Sequence, residues 1–202
     1  MNQDYISRPA TKADAKEIAK LIAISSDGVA VIEWAEQAKQ QGCEPLDIGE
    51  TLYQNSEGDY SYKNATVIEK DDAIAGMLLT FAMLPGSARD ESNRPSENDK
   101  NVFSPYMYLE EPGSWYICGI AFYPEYRGQG LGTTLMQLAE RQAKQKRFNK
   151  LSLVAFEKNT GSVRLYERLG YQVVDQAPIV PHPLIHYTGD ALLMVKDLAK
   201  TV

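Results

Sequence analysis

The segment SWYICGIAFYPEYRGQGLGTTLMQLAERQAKQKR, residues Ser114–Arg147, combines a strand, a glycine-rich loop and a helix in direct succession. Trp115–Phe122 is a short apolar run rich in aromatic residues, which predicts a strand rather than a helix. Pro124 ends this strand because proline has no N–H group to donate to the ladder. The helix after the loop has one mainly apolar face, formed by Leu131, Leu135, Leu138, Ala139 and Gln142.

The loop between this strand and this helix reads Arg127-Gly128-Gln129-Gly130-Leu131-Gly132. Glycine adopts backbone conformations that other residues avoid. The first N–H groups of a helix have no partner inside the helix, and the helix dipole adds positive potential at the same end. Phosphate groups bind well in such a place. The segment therefore predicts an anion site at the start of the helix.

The spacing of the glycines excludes two common phosphate-binding motifs. A Walker loop ends in Gly-Lys-Ser/Thr, whereas Gly132 is followed directly by Thr133. A dinucleotide-binding fingerprint needs G-x-G-x-x-G, and this loop is one residue too short. The pattern that remains is Arg127-x-x-Gly130-x-Gly132. A glycine-rich turn without a ligand is the alternative, but a plain turn does not need three alternating glycines.

With the strand and proline before it, this pattern resembles the acetyl-coenzyme A motif of the GCN5-related N-acetyltransferase (GNAT) superfamily. Asn159, Tyr166 and Leu169-Gly170-Tyr171 extend the resemblance downstream, and together it covers Arg8–Leu198. It implies an α/β (α+β) chain with the GNAT acyl-CoA N-acyltransferase fold. That fold has a central mixed, mostly antiparallel sheet with helices on both faces. We expect a single domain over residues 1–202, with an elaborated loop at 85–113.

Composition narrows the function classes. With 202 residues the chain is long enough for one domain with a real core. Its net charge of −6 argues against nucleic-acid binding, which needs a basic face. The first residues contain Asp4 and Arg8 but no apolar core of a leader, and no apolar run approaches a membrane span. We therefore expect a soluble, cytoplasmic protein that binds neither nucleic acid nor membrane.

Local patterns predict the remaining elements. Thr11 and Asp14 resemble a capping box that starts a first helix. Further helices are expected over Val31–Gln41, from Pro45 onward and after Asn159, and further strands over Tyr5–Pro9, Ala65–Glu69, Ala73–Ala82, Lys150–Phe156, Tyr171–Val174 and Ala191–Lys196. Within the elaborated loop, Gly86–Asn101 is polar and expected to be flexible. The aromatic Val102–Leu109 is expected to dock, either as the wall of a pocket or interface or as a cover for a sheet edge.

The resemblance also implies site residues and a co-substrate, acetyl-CoA, with no metal. The loop residues that would hold the pyrophosphate through backbone N–H groups are Arg127, Gly128, Gln129, Gly130, Leu131, Gly132 and Thr133. In the preceding strand Ile120, Ala121 and Phe122 would pair with the pantetheine arm, and a backbone N–H there would polarise the thioester carbonyl. Asn159 would contact the same arm. Tyr166 would protonate the departing thiolate, although its helical spacing alone also fits a core aromatic residue.

The general base is open between several groups. Glu111 ranks first, ahead of Glu110, Glu157, His182 and His186, and a water relay or a solvated surface role are the alternatives. The expected acceptor is a small-molecule primary amine, and we hypothesise that Tyr106, Tyr108 and Glu111 hold a cationic one by cation–π and ionic contacts. The region around Trp34 and Tyr53 would form the opposite wall. A homodimer is compatible with the sequence.

The function that follows from the resemblance is acetyl transfer from acetyl-CoA to a primary amine, directly within a ternary complex. Two alternatives belong to other classes. One is a catalytically silent acyl-CoA-binding module with a regulatory role. The other is an interaction protein that uses Val102–Leu109 as its interface.

Overall fold

The structure is a computed structural model that describes residues 5–84, 94–95 and 98–199. Within these residues the strands are β1 (Ile6–Pro9), β2 (Ala65–Lys70), β3 (Ala73–Ala82), β4 (Trp115–Phe122), β5 (Lys150–Phe156), β6 (Gln172–Pro178) and β7 (Asp190–Asp197). The helices are α1 (Ala15–Ser25), α2 (Val29–Gln41), α3 (Pro45–Tyr53), α4 (Ser104–Tyr108), α5 (Leu131–Gln145) and α6 (Thr160–Arg168). No helix in this part of the chain is both long and apolar enough to cross a membrane.

The strands form one sheet in the order β1-β2-β3-β4-β5-β7-β6. The pairs β1–β2, β2–β3, β5–β7 and β6–β7 are antiparallel, whereas β4 and β5 are parallel. This arrangement confirms the predicted mixed, mostly antiparallel sheet accompanied by helices. Because β4 and β5 are parallel, a long connection must return the chain from the end of β4 to the start of β5, and α5 lies in that connection.

The chain divides into two compact units. The first comprises the chain up to Thr80 together with Gly119–Leu135, and the second comprises Phe81–Cys118 and the chain from Met136 onward. Each unit contains segments that are distant in sequence. The expectation of a single domain stays a prediction.

In the first unit, α1 provides much of the core. Ile18 and Leu21 are completely buried, and α1 lies so close to Gly119 in β4 that a Cβ atom there would sit 2.5 Å from Cδ1 of Ile22. Trp34 and Tyr53 are also buried, at 2% and 1% exposure, with their rings edge to face at 6.4 Å. Both side chains therefore serve the packing of α2 against α3, which argues against the expected role as an acceptor wall.

A cluster of charged side chains ties the beginning of the first unit together. Arg8 Nη1 donates to Asp14 Oδ2 at 2.8 Å, and Arg8 Nη2 donates to Glu69 Oε1 at 2.6 Å. The Thr11 N–H donates to Asp14 at 2.7 Å, which completes the predicted capping box. The guanidinium of Arg8 lowers the pKa of Asp14 to about 2, against the opposing effect of burial. These contacts join β1, β2 and the start of α1.

In the second unit, the aromatic part of the elaborated loop is docked. Tyr106 packs edge to face on Phe156 with ring centroids 6.1 Å apart, and Arg94 donates to the Tyr108 hydroxyl at 3.0 Å and to Asp175 at 2.8 Å. Docking of Val102–Leu109 is therefore confirmed. Arg94 joins Tyr108 to Asp175 of β6, while Tyr106 packs on β5, so the segment contacts both an inner strand and the last strand of the sheet order. Residues 85–93 and 96–97 of the polar excursion lie outside the described residues.

One strand is longer than its sequence pattern indicates. β6 runs from Gln172 to Pro178, whereas the sequence pattern predicts a strand over Tyr171–Val174. The pairing with β7 continues to Pro178↔Asp190 and includes a bulge between Val173 and Asp175. A bulge interrupts the regular alternation of side chains, so that alternation in the sequence underestimates the strand.

Candidate active site

The glycine-rich loop lies in the first unit, between the end of β4 and the start of α5. Gly128 and Gly130 have φ angles of +75° and +77°, in the region that favours glycine. A Cβ atom built on either residue would meet nothing within 4 Å. Both positions therefore need glycine for its backbone conformation rather than for lack of space. The same observation means that the loop has open space beside it, as a bound pyrophosphate would require.

Hydrogen bonds hold this loop at its start, in its middle and at its end. Arg127 Nε donates to the carbonyl oxygen of Phe122 at 2.9 Å, so this side-chain nitrogen faces back to β4. The Tyr5 hydroxyl donates to Oε1 of Gln129 at 2.9 Å. The Thr133 N–H donates to the carbonyl oxygen of Gly130 at 3.1 Å. Sequence reasoning missed Tyr5, since a contact between residues 124 positions apart leaves no local pattern.

The helix that follows the loop begins at Leu131 and continues for fifteen residues. Its buried residues are Leu131, Leu135, Met136, Ala139 and Ala143, while Leu138 and Gln142 are half-buried. The apolar face is therefore rotated slightly from the predicted one. A helix of this length carries a full dipole, so its N-terminus adds positive potential to the N–H groups of the loop.

The second half of β4 carries the other expected coenzyme contacts in the first unit. Phe122 lies across Gly76 of β3, where a Cβ atom would come within 2.4 Å of the Phe122 ring and 2.6 Å of the Ala121 carbonyl oxygen. Tyr123 is the residue after the end of β4, and its N–H donates to the carbonyl oxygen of Ala75 at 3.0 Å. The chain therefore stays paired with β3 for one residue beyond β4. The parallel ladder between β4 and β5, both fully described, consists of three residue pairs and ends at Ile117↔Leu153.

Asn159 and Tyr166 lie in the second unit, at the start and near the end of α6. Asn159 is the N-cap, and its Oδ1 accepts from the Ser162 N–H at 3.3 Å. This cap leaves the two N–H donors of the side-chain amide for other partners. Tyr166 is 7% exposed. Burial raises the pKa of Tyr166 to about 12, and a hydrogen bond with Ser162 acts in the opposite direction. The phenol is therefore protonated at neutral pH.

Glu111 lies elsewhere in the second unit. Lys150, the first residue of β5, donates to its carboxylate at 2.6 Å. Asn159 and α6 come only after the last residue of β5, and a strand of seven residues spans roughly 20 Å. The structure therefore does not bring Glu111 to the end of β5 where α6 begins. Glu111 is paired with Lys150 at the opposite end of β5, which argues against the expectation that Glu111 is the general base.

Two of the other candidate bases, Glu157 and His182, are engaged in local contacts. Glu157 accepts from the Asp190 N–H at 3.4 Å and lies 3.3 Å from Lys158 Nζ. His182 Nδ1 accepts from the Leu184 N–H at 3.2 Å within its own turn. Burial raises the pKa of Glu110. Within the described residues no group of three or more His, Cys, Asp or Glu side chains could hold a metal ion.

The sequence model of the acetyltransferase (GNAT) family matches residues 29–171, which is most of the chain. The chain belongs to the GNAT acetyltransferase family. The match includes β4, the glycine loop, α5 and α6, so the motif noted in the sequence lies inside the region that defines the family.

Individual proteins are similar to this GNAT protein in sequence or in fold. A Bacillus subtilis (strain 168) protein, provisionally named ribosomal protein bS18-alanine N-acetyltransferase, is 34% identical over 86 residues, which cover 36% of this chain and 57% of that relative. An N-acetyltransferase from Staphylococcus aureus Mu50 has a TM-score of 0.64 at 19% identity, covering 94% of this chain and 99% of its own. A GNAT family acetyltransferase from Elizabethkingia anophelis, with acetyl-CoA bound, has a TM-score of 0.56 at 18% identity, covering 98% and 100%. At sequence identities of 19% and 18%, the likeness to these two solved structures concerns the fold alone.

Proposed function

We propose that this GNAT protein transfers an acetyl group from acetyl-CoA to a primary amine while both are bound. The observation that carries the proposal is the glycine loop between β4 and α5. It has two glycines at positive φ, open space beside them and a fifteen-residue helix starting at Leu131. Further support comes from the Elizabethkingia anophelis relative, whose structure has acetyl-CoA bound.

In this proposal the backbone does most of the coenzyme binding. The N–H groups of the Arg127–Thr133 loop and of the first turn of α5 hold the pyrophosphate. Ile120–Phe122 pairs with the pantetheine arm, beyond the point where the ladder with β5 has ended. The amide nitrogen of Asn159, which its capping bond does not use, donates to the same arm. A backbone N–H of β4 stabilises the negative charge that develops on the carbonyl oxygen.

Bound acetyl-CoA supplies a thioester whose C–S bond breaks as the amine nitrogen bonds to the carbonyl carbon. Tyr166 donates its hydroxyl proton to the departing sulfur, whose thiol has an ordinary pKa of about 8.5. The Tyr166 phenol carries its proton at neutral pH, and burial, which raises its pKa to about 12, makes it a weaker acid than the departing thiol. Proton transfer then has to accompany bond cleavage, since the sulfur accepts the proton only as its negative charge develops. The amine nitrogen gives up its proton to water as the amide forms, and a proton from water restores Tyr166, so the transfer balances without an assigned side-chain base.

For the acceptor we keep the class of primary amines. The hypothesis of a cation held by Tyr106, Tyr108 and Glu111 has lost support, since Arg94 binds Tyr108 and Lys150 binds Glu111. The name of the Bacillus subtilis relative adds a protein N-terminal alanine to the small amines that we expected. An acceptor panel should therefore contain polyamines, amino acid amides and a peptide that begins with alanine.

The test of coenzyme binding is calorimetry with acetyl-CoA on Gly130→Glu and on a matched control, Gly58→Glu. Gly58 has a φ of +80° and nothing within 4 Å of a built Cβ, so both variants carry the same backbone strain in open space. Only Gly130→Glu brings negative charge to the proposed phosphate site. We expect its affinity to be lost while the control binds like the wild type. Equal affinities in the two folded variants would refute the site.

A second measurement separates the enzyme from a silent binding module. Thiol release and acetylated product are followed across the acceptor panel with protein that binds acetyl-CoA. Release of thiol that depends on an amine supports the transferase. Coenzyme binding without product from any amine would favour the silent acyl-CoA-binding alternative.

A further inference from the structure

Tyr5 lies just before β1. Here it is only 4% exposed. Its ring meets the edge of the Tyr126 ring with centroids 6.4 Å apart, and Nζ of Lys70 lies over it at 5.3 Å. Its hydroxyl donates to Oε1 of Gln129 at 2.9 Å. Contacts on several sides therefore hold one tyrosine beside the glycine loop.

Gln129 is the residue between the two glycines of positive φ, and it is exposed. Glycines lose more conformational freedom than other residues when they are ordered, so a loop with two of them is costly to hold in one shape. The bond from Arg127 to Phe122 holds the start of this loop, and the bond from Thr133 to Gly130 holds its end. The bond from Tyr5 holds the middle.

We propose that Tyr5 is a positioning residue that fixes the glycine loop in its coenzyme-binding conformation by way of Gln129. This inference rests on the proposed function, because it assumes that the loop binds the pyrophosphate of acetyl-CoA. A loop already held in the bound conformation does not lose that freedom on binding, and affinity rises accordingly. Tyr5 itself touches neither coenzyme nor acceptor in this scheme. It acts on affinity and not on the chemical step.

The test is a double-mutant cycle in which acetyl-CoA affinity is measured by calorimetry on wild type, Tyr5→Phe, Gln129→Met and the double variant. Tyr5→Phe keeps the ring between Tyr126 and Lys70 and removes only the hydroxyl. Each single variant should bind acetyl-CoA about three- to tenfold more weakly, the effect of one ordinary hydrogen bond. The double variant should be no weaker than either single one, because all three lack the same bond.

A matched control is Tyr123→Phe, in the same unit. Its hydroxyl donates to Glu17 at 2.5 Å, so the variant also loses a bonded tyrosine hydroxyl, but one directed at α1. We expect acetyl-CoA affinity near that of the wild type. Once an acceptor is known, Tyr5→Phe should raise the KM for acetyl-CoA and leave kcat unchanged. A purely structural role would not produce that separation.

The possible outcomes separate a failure of this inference from a failure of the proposed function on which it rests. If the wild type does not bind acetyl-CoA, both fail. If the wild type binds and Tyr5→Phe binds equally well, only the role of Tyr5 fails. Additive losses in the cycle, or an equal loss in Tyr123→Phe, would also overturn it. Should Tyr5→Phe not fold, Gln129→Met alone still decides, because its side chain is exposed and an unchanged affinity would contradict the proposal.

Discussion

Tyr166 occupies a position where helical spacing alone predicts a core aromatic residue, and the structure buries it accordingly at 7% exposure. Burial and catalysis are compatible at this residue because both require a protonated phenol. The raised pKa of Tyr166, about 12, means that a proton is always available at neutral pH.

For Tyr166→Phe we expect turnover to fall by ~10²–10⁴-fold, the usual loss of a general acid, with acetyl-CoA affinity nearly unchanged. Tyr171→Phe is the control. Its ring lies 6.1 Å from that of Tyr166, it is 2% exposed, and its hydroxyl has no hydrogen-bond partner among the described residues. Steady-state rates on an identified acceptor check both variants. Near-normal turnover in Tyr166→Phe would show that Tyr166 serves packing only and that the thiolate leaves without a proton from it.

At the scale of single elements, two glycines allow neighbouring elements to pack closely against β4. Gly119, in β4 itself, lies against α1, and Gly76, in β3, lies against the end of β4. Gly119 faces the ends of flexible side chains, Ile22 Cδ1 and Met77 Cε, at 2.5 and 3.0 Å from a built Cβ. Gly76 instead faces the Phe122 ring at 2.4 Å and the backbone oxygen of Ala121 at 2.6 Å. Side-chain ends can move aside, whereas a backbone oxygen in a sheet cannot without disturbing the ladder.

We therefore expect Gly76→Ala to lower the free energy of unfolding by ~1–3 kcal/mol, the range for overpacked interiors, and Gly119→Ala to lower it less. Gly76→Ala should in addition weaken acetyl-CoA binding, since it displaces Phe122 at the end of β4. Urea denaturation gives the first quantity and calorimetry the second. If Gly119→Ala proves less stable than Gly76→Ala, the expectation is wrong, and the side chains that face Gly119 move aside less easily than the end of β4.

At the scale of the whole molecule, acid stability should depend on the cluster of Arg8, Asp14 and Glu69. The pKa of Asp14 is about 2 in the folded protein and 3.8 as the ordinary value. A lowered folded pKa stabilises the folded state above pH 3.8, and that contribution disappears as the pH falls towards 2. The shift corresponds to ~2 kcal/mol at most, reduced by the partial exposure of Arg8.

Denaturant unfolding at pH 6 and at pH 3 checks this expectation. The wild type should lose part of its free energy of unfolding between the two pH values. Asp14→Asn should be less stable at pH 6 and lose less on acidification, because an amide does not titrate. If the variant shows the full acid loss of the wild type, other carboxylates are responsible.

Much of the fold could be predicted because it depends on neighbours along the chain. Trp115–Phe122 is a strand with the predicted bounds, and α3 begins at Pro45. α2 ends before Gly42, whose φ is +68°. The turn between the predicted strands Ala65–Glu69 and Ala73–Ala82 has positive φ at Asp71 and Asp72, as a tight turn between strands requires. These features follow from side-chain spacing, caps and turn residues, which any single sequence contains.

What only the tertiary structure decided concerns residues far apart in the chain. By itself the sequence determined the strand, the glycine loop and the helix that follows, and through them the family. It did not determine that β7 lies between β5 and β6, that Lys150 binds Glu111, or that Tyr5 binds Gln129. Such contacts depend on which buried surfaces meet when the whole chain packs, and no local spacing records that choice.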